Sequence, residues 1–253
     1  MFKTVKQVHG SSLITVWFAE GEIEDKGIQV YRESKVPIGE SEPFYTLLTD
    51  LTEDEDAIKA HFAKNCRYEV NRAAREDISY RIMDGSDISD EDIDGFIEFF
   101  KAFWASKDSS LENPGALREE LRAYRDADLL SFGQALLGGE VSVYHTYVHD
   151  ESICRLMHSA SLFRESNGEG NKKTLLGIAN RALHFEEMKY FKGKGLTTYD
   201  WGGAGKEEEV ASITHFKESF GGSPATFYDC RLVKGGRAKI LNTASDIKNR
   251  IKG

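Results

Sequence analysis

Three runs of β-branched and aromatic residues near the start of the chain predict short strands of a small sheet. They lie at 13–18, 28–32 and 44–49 and are separated by turns that contain Gly, Glu or Pro. A capping-box spacing at 52–55 then begins a segment in which apolar residues recur every three or four positions as far as Arg75. This period predicts one helix with a single apolar face.

After residue 84, helical and strand patterns alternate. Helices are predicted to begin at Ser89 and at Asn113, because both are good cap residues and Pro114 occupies a first helical position, where proline loses no hydrogen bond. The pair Gly138 and Gly139 predicts a tight hairpin turn. The later elements are strands at 129–137, 141–148, 152–163, 196–201 and 225–233, a long helix that ends near Gly193, and a helix at 207–220.

This order of elements predicts an α/β fold in which helices cover a central mixed sheet. We expect three regions, with the polar stretch at 84–87 as the first boundary. They are a strand-rich N-terminal module that ends in a basic helix (1–84), a second domain (85–234) and a basic C-terminal tail (235–253).

Composition and charge exclude several classes of protein. A net charge of −9 argues against binding to duplex DNA. The three cysteines are far apart and in no pairing typical of a disulfide framework or a zinc site, so we predict no metal. No apolar run approaches the roughly 18 residues of a membrane span, and the start lacks a signal peptide's apolar core. The sequence therefore predicts a cytoplasmic protein.

Two glycine-containing motifs carry a resemblance to a known family. Residues 199–203 read Tyr-Asp-Trp-Gly-Gly at a predicted strand end, and residues 216–222 read Phe-Lys-Glu-Ser-Phe-Gly-Gly at a predicted helix end. With the basic helix at 67–75, they resemble the FemAB-type branch of the GNAT acyltransferase superfamily, the aminoacyltransferases that build peptidoglycan interpeptide bridges. The resemblance extends over residues 64–229.

The resemblance implies a GNAT-like fold and a transferase. The donor would be an activated ester or thioester, namely acyl-CoA, an acyl carrier or aminoacyl-tRNA, and the acceptor a small-molecule or peptide amine. Acidic charge favours acyl-CoA or a carrier, whereas the resemblance favours charged tRNA. Either donor would be a co-substrate, with no tightly bound cofactor. The alternative is a catalytically inactive GNAT-like binding protein.

Five residues are candidates for the chemistry. Asp200 could orient the attacking amine or cap a structural turn. Lys217 could stabilise an oxyanion or a phosphate, or be a solvated lysine. His215 could act as general base near neutral pH. By the resemblance, His158 and Ser159 lie where GNAT folds splay two strands and expose backbone N–H groups, which would form an oxyanion hole.

Binding residues are predicted in two basic segments and at the motif. The stripe at Lys64, Arg67, Asn71 and Arg75 suits a phosphate-bearing acceptor, a phosphopantetheine or the acceptor end of tRNA, or is a solvated face. The loop at 164–170 is similar to the GNAT pyrophosphate loop with one additional residue, and it is either an anion site at a helix start or a plain connection. The predicted substrate-binding residues are Arg67, Asn71, Arg75, Arg164, Gly168, Gly170, Asn171, Lys172, Trp201, Gly202 and Gly203.

Overall fold

The computed structural model describes residues 1–162, 170–205, 208–236 and 238–239. The chain divides into two units: unit 1 consists of Met1–Thr46 and the chain from Pro224 onward, and unit 2 of Leu47–Ser223. The strands are β1 (Phe2–Val8), β2 (Ser11–Trp17), β3 (Gly27–Ser34), β4 (Glu40–Asp50), β5 (Ile78–Asp84), β6 (Leu130–Leu137), β7 (Glu140–His149), β8 (Ile153–Ser161), β9 (Thr198–Asp200) and β10 (Ser223–Lys234). The helices are α1 (Glu55–Ala60), α2 (Lys64–Ala73), α3 (Asp90–Ala105), α4 (Pro114–Asp126), α5 (Gly170–Gly193) and α6 (Glu208–Glu218).

Unit 1 is a small sheet built around the first strands. β1 pairs antiparallel with β2, β2 pairs parallel with β3, and β3 pairs antiparallel with β10. Apolar residues from these strands and the following turn form its core, which includes Ile14, Val16, Tyr31, Ile38 and Cys230. The β-branched and aromatic composition of these segments suits such a half-buried sheet.

Unit 2 contains a mixed sheet in the order β4, β9, β8, β7, β6, β5, to which β4 contributes its C-terminal end. β8 and β9 are parallel, because the long helix α5 connects them, and the other neighbours are antiparallel. The prediction of an α/β fold with a mixed sheet is therefore confirmed.

Helices α3 and α5 cover opposite faces of this sheet. Neighbouring residues of a strand point to opposite sides of its sheet. On β7, the ring of Tyr144 lies 5.1 Å from that of Phe96 in α3, whereas the next residue, His145, forms a hydrogen bond with Asn180 in α5. The face under α5 carries the main core, to which Tyr147 also belongs.

The segment at 52–75 forms two helices, α1 and α2, so the prediction of one continuous helix is wrong. Between them the chain turns and Phe62 becomes buried. Its ring packs edge-on against Phe185 at 5.6 Å and against Phe220 at 5.1 Å. These contacts are long-range in the sequence, so the apolar period of the segment gave no sign of the break.

Two strands, β1 and β5, were not predicted. β1 lies mostly exposed and carries two lysines, so it lacks the apolar alternation of a buried strand. β5 ends at Asp84 and pairs with β6 inside unit 2. The division of the chain into regions 1–84, 85–234 and 235–253 stays a prediction.

The tail beyond residue 239 lies outside the described residues. Within the described ranges, no helix is both long enough and apolar enough to cross a bilayer. The cytoplasmic location stays a prediction.

Candidate functional site

A cleft of about 250 Å³ opens in unit 2 beside the end of β9. β8 and β9 pair from Ile153 and Thr198 to Arg155 and Asp200, where β9 ends, while β8 continues to Ser161. The pairing between the two strands therefore ends at this point. The cleft is lined by Phe103, Lys107, Leu156, Ser159, Ser161, Asn180, His184, Trp201, Ser212, Ile213, Phe216 and Lys217.

The Asp-Trp-Gly-Gly sequence forms a tight turn at the edge of the cleft. Asp200 is fully buried, and its Oδ1 accepts a hydrogen bond from the Gly202 N–H at 2.7 Å. Gly202 and Gly203 have φ angles of 58° and 65°, which favour glycine. A Cβ on Gly202 would also lie 2.2 Å from the carbonyl oxygen of Leu156 on β8. The glycines thus allow this turn to approach β8.

Lys217 of α6 holds this turn in place. Its Nζ donates hydrogen bonds to the carbonyl oxygens of Gly202 and Gly203, the latter at 2.6 Å, and the residue is only 7% exposed. The alternative of a solvated lysine is therefore wrong. Because Lys217 also lines the cleft, it places a positive charge at its wall.

Trp201 forms the buried part of the cleft wall. Its indole N–H donates a hydrogen bond to Thr49 Oγ1 at 3.0 Å, and its ring packs against His184 and Phe220. The side chain is fully buried. Trp201 therefore shapes the cleft mainly by packing.

The other predicted catalytic residues are not brought together. Ser159 lines the cleft, but His158 is directed to the opposite face of the sheet, where its ring packs against Phe96 and Phe100. Burial lowers the pKa of His158 to about 4. His215 is on the outer side of α6 with its side chain 88% exposed. Both histidines lie away from the cleft lining.

The predicted basic stripe lies on α2 and just beyond it. Arg67 donates a hydrogen bond to the carbonyl oxygen of Ala60, and Asn71 and Arg75 are exposed. These three side chains are not among the residues that line the cleft. Their role in binding stays a prediction.

The predicted phosphate loop is only partly described. Arg164 and Gly168 lie outside the described residues, whereas Gly170 is the first residue of α5 and Asn171 and Lys172 follow it, both exposed. A second hollow of about 330 Å³ adjoins the cleft and is lined by residues of α5 that include Gly177 and Arg181.

A buried polar network lies directly behind the cleft, and sequence reasoning missed it. At its centre, Glu187 of α5 is fully buried and accepts hydrogen bonds from Tyr147 and from His145 Nδ1, the latter at 2.9 Å. His145 Nε2 lies 2.8 Å from Asn180 Oδ1. Burial raises the pKa of Glu187 above its ordinary value, and its contact with His145 opposes this.

The network continues from Tyr147 to the cleft. The hydroxyl oxygens of Tyr147 and Tyr199 are 2.6 Å apart, and the Tyr199 hydroxyl lies 2.7 Å from His184 Nδ1. His184 is 1% exposed and lines the cleft. Burial lowers the pKa of His184 well below its ordinary value, so the ring is neutral near pH 7.

Two sequence signals could have revealed these residues. His184 and Glu187 are three positions apart on one helix, hence on the same face, and His145 and Tyr147 alternate on one strand. Within the described part of the chain, His145, His184 and Glu187 are also the one group whose donor atoms lie within 4.8 Å of one another as metal ligands would. Because each already has hydrogen-bond partners, we interpret the group as part of the network.

Comparisons with known proteins show that solved structures share the fold of this chain. No family model and no curated protein matches the sequence. Among solved structures, FemX superposes with a TM-score of 0.59 at 14% identity, over 90% of this chain and 66% of FemX. This chain therefore spans just under two thirds of the FemX chain.

Two further structures are similar over most of their length. The C-terminal DUF2156 domain of a protein assigned as a lysylphosphatidylglycerol synthetase from Agrobacterium fabrum has a TM-score of 0.54 at 11% identity, over 97% of this chain and 84% of that domain. L-PGS from Bacillus licheniformis has a TM-score of 0.52 at 10% identity, over 94% of this chain and 82% of the L-PGS chain. The chain therefore shares the fold of these three structures, in agreement with the FemAB-like resemblance of its sequence.

Proposed function

We propose that unit 2 is an acyltransferase that moves an acyl or aminoacyl group from an activated ester or thioester to an amine. The observation that carries the proposal is the end of the β8–β9 pairing beside a cleft lined by Ser159 and Lys217. In the described part of the chain, β8 has no β9 partner beyond Arg155, so backbone N–H groups there can stabilise a developing oxyanion. Lys217 adds positive charge to the same wall.

The shared fold supports this chemistry. FemX carries the name of the FemAB-type aminoacyltransferases that the sequence resembles, and the DUF2156 domain belongs to a protein assigned to lysylphosphatidylglycerol synthesis. Placing an amine against an activated carbonyl supplies much of the rate enhancement of such a reaction. The donor classes to be compared are acyl-CoA, an acyl carrier and aminoacyl-tRNA.

A donor screen tests the proposal. The purified protein is incubated with radiolabelled acetyl-CoA, with a labelled acyl carrier and with charged tRNA, each against a panel of amines and short peptides. We expect label to move to an amine from one donor class. Absence of transfer from all three donors would contradict the proposal and favour the inactive binding protein.

Two basic residues, one on α2 and one just beyond it, distinguish the donors. Arg67→Ala combined with Arg75→Ala removes two positive charges that lie outside the cleft lining. If charged tRNA is the donor, we expect this variant to have a higher KM for tRNA. Its activity should also fall less with rising salt concentration than that of the unchanged protein. With acetyl-CoA as donor, the same variant is expected to retain its KM.

A further inference from the structure

The buried network connects the cleft to a carboxylate inside unit 2. Its order is His184 at the cleft, then Tyr199, Tyr147 and Glu187, with successive contacts of 2.7 Å and 2.6 Å and a hydrogen bond from Tyr147 to Glu187. All four side chains are 0% or 1% exposed. Apart from the cleft end, the chain of groups is sealed from solvent.

The short contacts fix which atom donates when Glu187 is ionised. The Tyr147 hydroxyl donates to Glu187, so its proton is not available to Tyr199. Two hydroxyl oxygens at 2.6 Å require a proton between them, and Tyr199 must supply it. Nδ1 of His184 must then carry the proton that lies between it and the Tyr199 oxygen at 2.7 Å.

This leaves Nε2 of His184 with a lone pair, on the member of the network that lines the cleft. Amine acyl transfer needs such an acceptor, because an ammonium group has no lone pair with which to attack a carbonyl. None of the catalytic residues expected from the sequence meets this need. His158, His215 and Asp200 are not among the residues that line the cleft. Lys217 is held by the turn, and the hydroxyl of Ser159 is too weak a base.

We infer that His184 is the general base of the proposed acyl transfer and that Tyr199 and Tyr147 relay the proton to Glu187. The inference rests on the proposed function. His184 Nε2 takes a proton from the amine, and its Nδ1 proton passes to the Tyr199 oxygen. The Tyr199 proton passes to Tyr147, and the Tyr147 proton to the Glu187 carboxylate.

Every proton is accounted for in this step. One N–H bond of the amine breaks and one N–H bond forms at His184 Nε2, while each hydroxyl loses one proton and gains another. The product state has neutral Glu187 donating to Tyr147, Tyr147 to Tyr199, and Tyr199 to His184 Nδ1. It uses the same heavy-atom contacts with each donor reversed. Burial of Glu187, which raises the pKa of its carboxyl, makes it a competent proton acceptor.

The groups around His184 keep its ring neutral. His145 stacks on it at 4.2 Å from β7, Arg181 and Glu187 lie on the same helix, Lys217 approaches from α6 and Tyr199 from β9. Burial is the largest cause of the lowered pKa of His184, and His145, Lys217 and Arg181 act in the same direction. A protonated His184 is thus short-lived, and the relay removes its extra proton.

The kinetic test removes one hydroxyl. Tyr199→Phe keeps the ring and breaks the relay, and we expect kcat to fall about 100-fold, at the lower end for loss of a general base, with KM changed less than about threefold. Tyr144→Phe is the matched control, since Tyr144 is also buried but faces α3; it is expected to keep kcat. A Tyr199→Phe enzyme with normal kcat would overturn the inference.

A second test needs no substrate, so it separates failure of the relay from failure of the proposed function. Nitrogen NMR of ¹⁵N-histidine protein is expected to show His184 protonated at Nδ1 alone, and Glu187→Gln is expected to shift this tautomer. A proton on Nε2 in the unchanged free protein would overturn the relay, as would about one equivalent of tightly bound zinc in metal analysis. If His184 is protonated at Nδ1 alone but no donor supports transfer, the proposed function is overturned and, with it, the catalytic role of the relay.

Discussion

At the scale of single residues, the motif that identifies the fold is explained by the bonds of one turn. Lys217 donates to the carbonyls of Gly202 and Gly203, and Asp200 accepts from the Gly202 N–H. The three kinds of residue in the motif thus have separate tasks: the carboxylate caps the turn, the glycines adopt its positive φ angles, and the ammonium satisfies its carbonyls.

Replacing Lys217 by Met is expected to destabilise the protein. The substitution keeps an unbranched side chain that is one atom shorter and leaves two carbonyl oxygens without their charged donor, which costs about 1–3 kcal/mol in the free energy of unfolding. Urea denaturation measures the effect. Lys101→Met, at an exposed ion pair on α3, is the control and should change stability by less than about 0.5 kcal/mol. Equal stabilities of the two variants would refute the assigned task of Lys217.

His158 is expected to make the free energy of unfolding depend on pH in the acidic range. Burial lowers its pKa from 6.5 to about 4, so between these values the unfolded chain binds a proton that the folded protein does not. The free energy of unfolding therefore falls as pH decreases from 6.5 to 4. His158→Gln is predicted to flatten this dependence in urea titrations at several pH values. His215→Gln, at an exposed position, should leave the slope as it is; a slope unchanged in His158→Gln would count against the effect.

At the scale of elements, the site depends on how closely the end of β9 approaches β8. Gly202→Ala would place a Cβ 2.2 Å from the Leu156 carbonyl at a φ of 58°, so we expect a loss of more than about 2 kcal/mol in stability. Gly95→Ala is the matched control, because this exposed glycine of α3 has open space around it. It should stabilise the protein by about 0.5–1 kcal/mol. A Gly202→Ala variant as stable as the unchanged protein would show that position 202 does not lie this close to β8.

Helix α3 contributes Phe103 to the cleft lining, and its start is capped. Ser89 Oγ accepts from the Asp92 N–H at 3.1 Å, and the Asp92 carboxylate accepts from the Ser89 N–H at 2.9 Å. Ser89→Ala is expected to cost about 1 kcal/mol, measured by thermal or urea unfolding. The exposed Ser109→Ala, beyond the other end of α3, is the control and should be neutral. Indistinguishable variants would exclude a stabilising cap.

At the scale of the whole molecule, local pattern predicted the elements from Ser89 onward. Cap residues, the paired glycines at 138 and 139 and the period of α5 gave α3, α4, the β6–β7 hairpin and α5 close to their observed positions. These signals act within one or two turns of chain. The break between α1 and α2 escaped them, because burial of Phe62 depends on residues far away in the sequence.

The buried network escaped for the same reason. Glu187 is 42 positions from His145, and Tyr199 is 52 positions from Tyr147. Only the sheet register and the position of α5 bring these groups together. In the hydropathy pattern, the residues of the network are only polar positions within apolar segments. An exposed residue such as His215, in contrast, looks like a candidate for catalysis. Motifs of adjacent residues were therefore found in the sequence, and the contacts that assemble the cleft were not.

The central claim is that the cleft beside β8 and β9 is where an acyl group is transferred to an amine. Ile213 lines the cleft from α6, and Ala211 lies exposed on the same helix outside the lining. The most direct measurement compares transfer rates, with the donor that the screen identifies, for Ile213→Glu and Ala211→Glu. We predict at least about a tenfold loss for Ile213→Glu, because misplaced reactants lose rate steeply, and an unchanged rate for Ala211→Glu. Equal rates for the two variants would contradict the account.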